Sequence, residues 1–180
     1  YGGTNATQAL GAVVVNKTGT TMQLRAAFKC SSLTITAGTF DTRSADNNAL
    51  TVTGAIHIDG ILTGNASAIS GDSVHIDGTF THNGALTVSG IAGTNYAFYN
   101  NGTWTPSTSQ VTTFTGDGDT TYHVQSNDWD SVVINAAGEN YIFRPKTGAT
   151  ITFVDDLTVT AGSMVQNSNG DVWVVGGDVL

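Results

Sequence analysis

Apolar and hydroxyl residues alternate along much of this chain. Four segments, residues 33–36, 50–53, 86–89 and 157–160, share the order apolar, hydroxyl, apolar, hydroxyl, and a glycine follows each of them within two positions. Neighbouring side chains of a strand point to opposite faces, so such a segment buries its Leu and Val side and exposes its hydroxyl side. Amphipathic helical spacing is absent from the sequence, so the pattern predicts short strands joined by turns.

The spacing between similar segments indicates a repeat of about 18 residues. The block Ile-His-Ile-Asp-Gly at 56–60 recurs 18 residues later as Val-His-Ile-Asp-Gly at 74–78. Other pairs with nearly the same spacing, or twice that spacing, are Leu33 with Leu50, Leu50 with Leu86, residues 131–135 with 149–153, and Tyr141 with Val159.

Self-similarity at a short, fixed period is typical of a solenoid, in which each coil buries its apolar side by stacking on its neighbours. We therefore predict an all-β, single-chain parallel β-solenoid (β-helix) with coils of about 18 residues. Each coil would contain three short strands joined by tight Gly, Asn and Asp corners. The alternative is a β-sandwich, which also contains alternating short strands but needs no fixed repeat. In the solenoid, Ile58 and Ile76 should be neighbours.

The repeat divides the chain into three parts. Residues 33–165 are assigned to the solenoid, and within them residues 91–130 are irregular and rich in aromatic residues. Residues 1–32 have strand character without the repeat and are predicted to form an N-terminal cap or assembly segment. Residues 166–180 are predicted to form a C-terminal strand or assembly segment.

Composition and charge exclude several classes of protein. Of the 180 residues only 11% are charged, with 6 Lys and Arg against 14 Asp and Glu and a net charge of -8. A nucleic-acid partner is not expected, because its binding requires a basic surface. No apolar run reaches the roughly 18–20 residues of a membrane span. The single cysteine excludes an intrachain disulfide. High Thr, Asn, Ser and Gly with little Lys and Glu favours an extracellular location.

Five segments, residues 33–40, 50–54, 84–90, 111–118 and 156–162, resemble known repeats. They are similar to the Thr/Gly-rich β-solenoid repeats of large secreted and cell-surface proteins of the filamentous haemagglutinin-like group, and to those of phage and viral appendage proteins. The resemblance covers about residues 33–165. It implies a stalk, an adhesin or a passenger rod, and therefore a structural or binding role.

Histidine and aspartate residues of the repeated block are candidate metal ligands. In stacked coils His57 would lie beside His75, and Asp59 beside Asp77, which would bring four donors for a divalent metal together. The alternative is that the histidines are outward-facing ladder residues and that the Asp-Gly pairs are corner turns.

A second candidate metal site is an acidic loop that contains Asp117 and Asp119. Carboxylate oxygens could hold a surface Ca²⁺ there, although ordinary solvated turns have the same composition. No other cofactor is expected.

Aromatic residues raise the possibility of carbohydrate binding. Tyr96, Tyr99, Trp104 and Trp129 could form a stacking platform for sugar rings, or they could fill a wider section of the core. The threonine columns suggest an ice-binding face, but an aligned Ile69 would interrupt it. No Ser-His-Asp or Cys-His arrangement and no convergent carboxylate pair is evident, so we expect no enzymatic activity.

These observations together predict a non-enzymatic structural building block of an extracellular or virion-surface assembly, such as a fibre, appendage or decoration protein. An exposed solenoid end presents unpaired strands, so self-association or binding to neighbouring structural subunits is expected. The alternative is a carbohydrate-binding or adhesin module of a cell-surface protein, with glycans as partners.

Overall fold

The computed structural model describes residues 10–90, 96–116, 121–168 and 170–180, and every regular element in these ranges is a β-strand. In chain order the strands are β1 (Leu10–Gln23), β2 (Phe28–Asp41), β3 (Leu50–Val52), β4 (Ala55–Ile58), β5 (Ile61–Asn65), β6 (Ile69–Gly71), β7 (Ser73–Ile76), β8 (Thr79–His82), β9 (Leu86–Val88), β10 (Tyr96–Asn100), β11 (Thr103–Pro106), β12 (Val111–Phe114), β13 (Thr121–Gln125), β14 (Asp128–Trp129), β15 (Ser131–Arg144), β16 (Thr150–Phe153), β17 (Leu157–Gln166) and β18 (Val172–Val175).

The strands form three parallel ladders, which we name the first, second and third faces. The first face consists of β3, β6, β9 and β12 with the beginnings of β2, β15 and β17. The second consists of β4, β7, β10 and β13 with the middle of β2 and the ends of β15 and β17. The third consists of the end of β2 with β5, β8 and β11 and, in a separate sheet, β14, β16 and β18.

The chain is thus a parallel β-solenoid, as predicted, and it has about 7 turns. Every pairing among the described strands is parallel, whereas a β-sandwich requires antiparallel neighbours. Strand β1 pairs in parallel with β2, so it extends the second and third ladders by one coil. Within the described ranges, the chain contains no helix with the length and apolar character that crossing a membrane requires.

The predicted coil length is too short for most of the chain. Successive coils lie about 22 residues apart, not 18. The 18-residue step is found where the repeated blocks stack, with His57 paired to His75 and Ile58 to Ile76. Further along, the step from Tyr99 to Gln125 is 26 residues. The difference is taken up at the corners, because the strands on either side stay paired.

Three of the predicted alignments are wrong because of these longer corners. Leu33 pairs with Ile56 on the second face, whereas Leu50 pairs with Phe28 on the first. Val132 pairs with Leu157, and the segment at 149–153 instead belongs to the third face. Tyr141 pairs with Met164 and not with Val159. The alignment of Leu50 with Leu86 holds, since Ile69 pairs with both.

Apolar columns run through the inside of the stack. Ile35, Ile58 and Ile76 form one column of the second face, and all three are fully buried. Phe40, Leu62, Phe80 and Trp104 form another on the third face. Full burial of each such side chain contributes roughly 1.5–3 kcal/mol. Since one coil cannot cover its own columns, stability depends on stacking.

A repeated glycine corner joins the second face to the third. The amides of Asp77 and Gly78 both donate to the Ile58 carbonyl, and those of Asn101 and Gly102 both donate to the Ile76 carbonyl. A Cβ on Gly78 would overlap the carbonyl oxygen of Gly60, one coil away. Glycine therefore recurs here because the backbones approach too closely for a side chain.

Candidate functional site

The second face carries an outward column of rings. Parallel pairing places Thr34, His57, His75 and Tyr99 in successive coils of this column. Each of these residues lies between two buried residues of its strand, which are apolar except for Asn100 beside Tyr99, so the alternation turns its side chain outward. The constant offset of 18 residues between the two repeated blocks therefore positions the histidines over one another.

The two histidine rings stack almost in parallel. Their centroids are 4.6 Å apart and their planes differ by 9°. Both side chains are close to two-fifths exposed, so solvent and ions reach them. Tyr99 packs its ring against His75 at 4.5 Å and 70°, which covers the end of the pair.

The glycine corner places carboxylates at the tips of these rings. The Nε2 atom of His75 lies 3.1 Å from Oδ2 of Asp77, and Nε2 of His57 lies 3.3 Å from the same oxygen. Asp59 Oδ1 lies 3.1 Å from Nε2 of His57. The donor atoms of His57, His75 and Asp77 all lie within 4.8 Å of one another. Three of the four predicted ligands therefore converge, and Asp59 approaches His57.

Asn101 holds the carboxylate of Asp77 in place. Its side-chain amide donates to Oδ1 of Asp77 at 3.1 Å, which leaves Oδ2 directed at the histidines. The hydrogen bond from Asn101 and the nearby imidazoles lower the pKa of Asp77 below its ordinary value, although partial burial opposes them. Sequence reasoning missed Asn101. The recurrence of Asx-Gly at 59–60, 77–78 and 101–102 is the signal that could have found it.

A tyrosine–arginine group continues the second face. Tyr96 and Tyr99 pack at 4.9 Å, and Arg144 donates a 2.9 Å hydrogen bond to the Tyr96 hydroxyl. The Arg144 guanidinium also lies 5.3 Å from the centre of the Tyr96 ring and 2.9 Å from Nδ1 of His123. Burial and this cation lower the pKa of His123. Sequence reasoning missed Arg144 and His123, because no motif links them to Tyr96.

The two tryptophans of the predicted sugar platform face inward. Trp129 is fully buried and Trp104 is 7% exposed, and both pack against Phe98. Buried rings cannot stack on a sugar at the surface, so the core interpretation applies to them. Tyr96 and Tyr99 are half-buried on the second face, apart from the tryptophans. The four aromatics thus do not form one platform.

Asp117 and Asp119, the other predicted metal ligands, lie outside the described residues. The predicted interruption of the threonine column is wrong. Ser70, not Ile69, pairs with Thr51 and Thr87, and Ile69 lies in the core.

The two end coils form a second candidate surface, because they expose most of the large apolar side chains. In β1 these are Leu10, Val14 and Met22. In the last coil they are Val159, Val165, Val172, Val174, Val179 and Leu180. Of the described residues, only β2 pairs with β1, and β18 pairs only with β16.

Comparisons with family models, with curated proteins and with solved structures give no match for this chain.

Proposed function

We propose that this protein is a non-enzymatic structural building block whose copies stack end to end in an extracellular assembly, such as a fibre, appendage or surface decoration of a virion or cell. The observation that carries this proposal is the pair of apolar end coils. The outer edges of β1, β18 and the second-face part of β17 have no partner among the described strands, while residues 178–180 pair with the start of β17. Such edges are templates for another parallel strand. A second copy of the chain supplies one with the same coil geometry.

Charge supports a second copy as the occupant. Residues 1–40 contain Lys17, Arg25 and Lys29 and no acidic residue. Residues 147–180 contain four aspartates and no Lys or Arg. The first coil is therefore cationic and the last is anionic, so that head-to-tail contact is attractive while head-to-head and tail-to-tail contacts are repulsive.

The charges also occupy matching corners. Lys17 lies where β1 turns from the second face to the third, and Asp171 lies where the last coil makes the same turn between β17 and β18. Arg25 follows the third-face part of β1, and Asp178 follows β18 at the corresponding corner. If a second copy continues the stack, each cation faces an aspartate. A head-to-tail contact of this kind does not close, so it builds filaments.

A charge exchange tests this arrangement. The variants Lys17→Glu/Arg25→Glu and Asp171→Lys/Asp178→Lys should each remain monomeric in light scattering, since each brings like charges together. Mixed in equal amounts, the two variants should assemble again, because every head then meets a tail of opposite charge. Wild-type assembly should weaken as NaCl rises from about 0.05 to 0.5 M, which screens exposed charges.

The control is Asp46→Lys/Asp128→Lys, which replaces exposed residues of inner coils. It makes the same change in net charge as Asp171→Lys/Asp178→Lys. This variant should associate as the wild type does. A wild-type protein that stays monomeric up to about 1 mM would contradict the proposal. Mixed variants that do not associate, or a control as impaired as the end variants, would also contradict it.

A further inference from the structure

We propose that His57, His75 and Asp77 form a binding site for a divalent transition metal of the zinc type on the second face. The site is separate from the end coils, so it does not depend on end-to-end association. It belongs to two successive coils, since His57 lies in β4, His75 lies in β7, and Asp77 follows β7 at the corner.

The distances suit the geometry of zinc. A tetrahedral Zn²⁺ holds nitrogen and oxygen donors at about 2.0–2.2 Å, which places neighbouring donors about 3.3 Å apart. The oxygen of Asp77 lies 3.1 Å from one imidazole nitrogen and 3.3 Å from the other. The metal would replace the His–Asp hydrogen bonds at nearly the same donor spacing. Because the two rings are stacked almost in parallel, each imidazole would have to rotate out of the stack to direct its Nε2 lone pair at the ion.

The donors are preorganised by backbone and by a neighbouring side chain. Four-residue pairing between β4 and β7 holds the two histidines in register. Two hydrogen bonds, from the backbone amides of Asp77 and Gly78 to the Ile58 carbonyl, hold the corner that carries Asp77. Asn101 binds the other carboxylate oxygen, as outer partners of metal ligands commonly do. The backbone that carries the donors is therefore already ordered before an ion binds.

The donor set selects the class of metal. Two imidazole nitrogens and one carboxylate suit Zn²⁺ and its neighbours in the first transition series. Ca²⁺ and Mg²⁺ require oxygen donors, and this site offers them too few. The carboxylate of Asp59, 3.1 Å from Nε2 of His57, adds negative charge beside the ion. With three protein ligands, a fourth position stays open for water.

A bound ion would act as a clamp between two coils. Because it binds only when those coils are stacked, it would raise the free energy of unfolding with the logarithm of the metal concentration once that concentration exceeds the dissociation constant. The residues involved are exposed, so their replacement leaves the apolar columns intact. Binding and folding can therefore be measured separately.

The test uses the full chain without a histidine tag. Zn²⁺ uptake is measured by equilibrium dialysis with elemental analysis, and Co²⁺ is added as a probe because tetrahedral Co²⁺ absorbs strongly in the visible range. The wild type should bind one ion per chain, and Ca²⁺ should not compete. His57→Asn, His75→Asn and Asp77→Asn should each weaken binding at least about tenfold. The matched control is the variant His123→Asn. His123 is an outward-facing histidine of the same face that accepts a hydrogen bond from Arg144, and its replacement should leave Zn²⁺ binding as in the wild type.

Circular dichroism checks that each variant keeps its strands. The proposal is overturned if the wild type takes up no stoichiometric Zn²⁺ at 1 mM, or if folded His57→Asn and His75→Asn bind as tightly as the wild type. Equal loss in the His123→Asn control would also overturn it, since the ion would then be held by histidines in general.

Discussion

His82 is a fully buried histidine of β8 and has no role in either candidate surface. Its Nε2 atom donates a 2.9 Å hydrogen bond to the carbonyl of Ser67, while Nδ1 is buried without a partner. Its ring stacks on Phe80 at 5.4 Å. Burial lowers the pKa of His82, and the Ser67 hydrogen bond only partly opposes this. The folded protein therefore holds the imidazole in its neutral form.

This burial makes stability depend on pH. Below a pH of about 6.5 the unfolded chain binds a proton at His82 that the folded chain resists, so the free energy of unfolding falls as pH falls. His82→Gln should reduce this slope between pH 6.5 and 5.5, whatever its effect on stability at neutral pH. Urea unfolding at several pH values measures the slope. Equal slopes in the two proteins would contradict the assignment.

His123, whose pKa is also lowered, adds to the wild-type slope with the same sign. The carboxylates of Asp41 and Asp77 have lowered pKa values and lose their stabilising charge at more acidic pH. The comparison of variant with wild type therefore isolates His82, because these groups are common to both proteins.

At the scale of the elements, the glycine corner determines how closely successive coils approach. A Cβ on Gly78 would overlap backbone oxygens of Gly60 and Asp59. These are backbone atoms held by coil-to-coil hydrogen bonds, so they cannot yield as a flexible side chain would. The corner is thus a packing requirement and not only a turn preference.

Gly78→Ala should destabilise the protein by at least about 2 kcal/mol, because the overlap forces two coils apart. Gly11→Ala is the matched control, since a Cβ there meets nothing within 4 Å, and its effect should stay within about 0.5 kcal/mol. Urea unfolding at pH 7.5 measures both. Similar stabilities for the two variants would show that the corner can relax.

The stacking of coils could be predicted from the sequence where the corners between strands keep the same length from one coil to the next. His57, Asp59 and Gly60 recur at the same offset one coil later, and the structure stacks this block on its copy. The alignment of coils from sequence was wrong where a corner is longer, as between Val132 and Leu157, because all three faces share the alternating pattern. A segment can therefore be matched to the wrong face, as the one at 149–153 was.

The candidate sites were predictable to the same degree. The convergence of His57, His75 and Asp77 follows from the strict repeat, whereas the meeting of Tyr96 with Arg144 depends on coils of unequal length. The inward direction of Trp104 and Trp129 could not be read from the sequence. Whether a tryptophan faces inward depends on which alternate position of its strand it occupies.

At the scale of the whole molecule, parallel coils make the two ends different. One end presents β1 with cationic corners, and the other presents β17 and β18 with acidic corners. Inner strands such as β4 and β7 are paired on both sides, whereas β1 is paired only with β2 among the described strands. Backbone amides should therefore differ in protection along the axis of the stack.

Hydrogen exchange should show this difference and test the proposed end-to-end contact. In dilute protein, amides of β1 and β18 should exchange faster than those of β4 and β7. At concentrations where copies associate, protection should rise in β1, β17 and β18 and stay unchanged in β4 and β7. Association that left β1 and β18 unprotected would indicate a side-by-side contact and contradict end-to-end stacking.

The unequal corners have a consequence for how such a chain can change. Between β2 and β3 the chain makes an excursion over residues 42–49, yet the strands on both sides keep their partners. Thr42 is buried there and donates a hydrogen bond to the Gly64 carbonyl, and Asn48 donates one to the Leu24 carbonyl, so the ends of the excursion belong to the stack. The exposed tip at residues 44–46 is uncoupled from the columns that hold the coils together. A foreign peptide grafted there would be displayed at the edge of an otherwise unaltered scaffold, so this side of the molecule can acquire a new recognition surface without redesign of the interior.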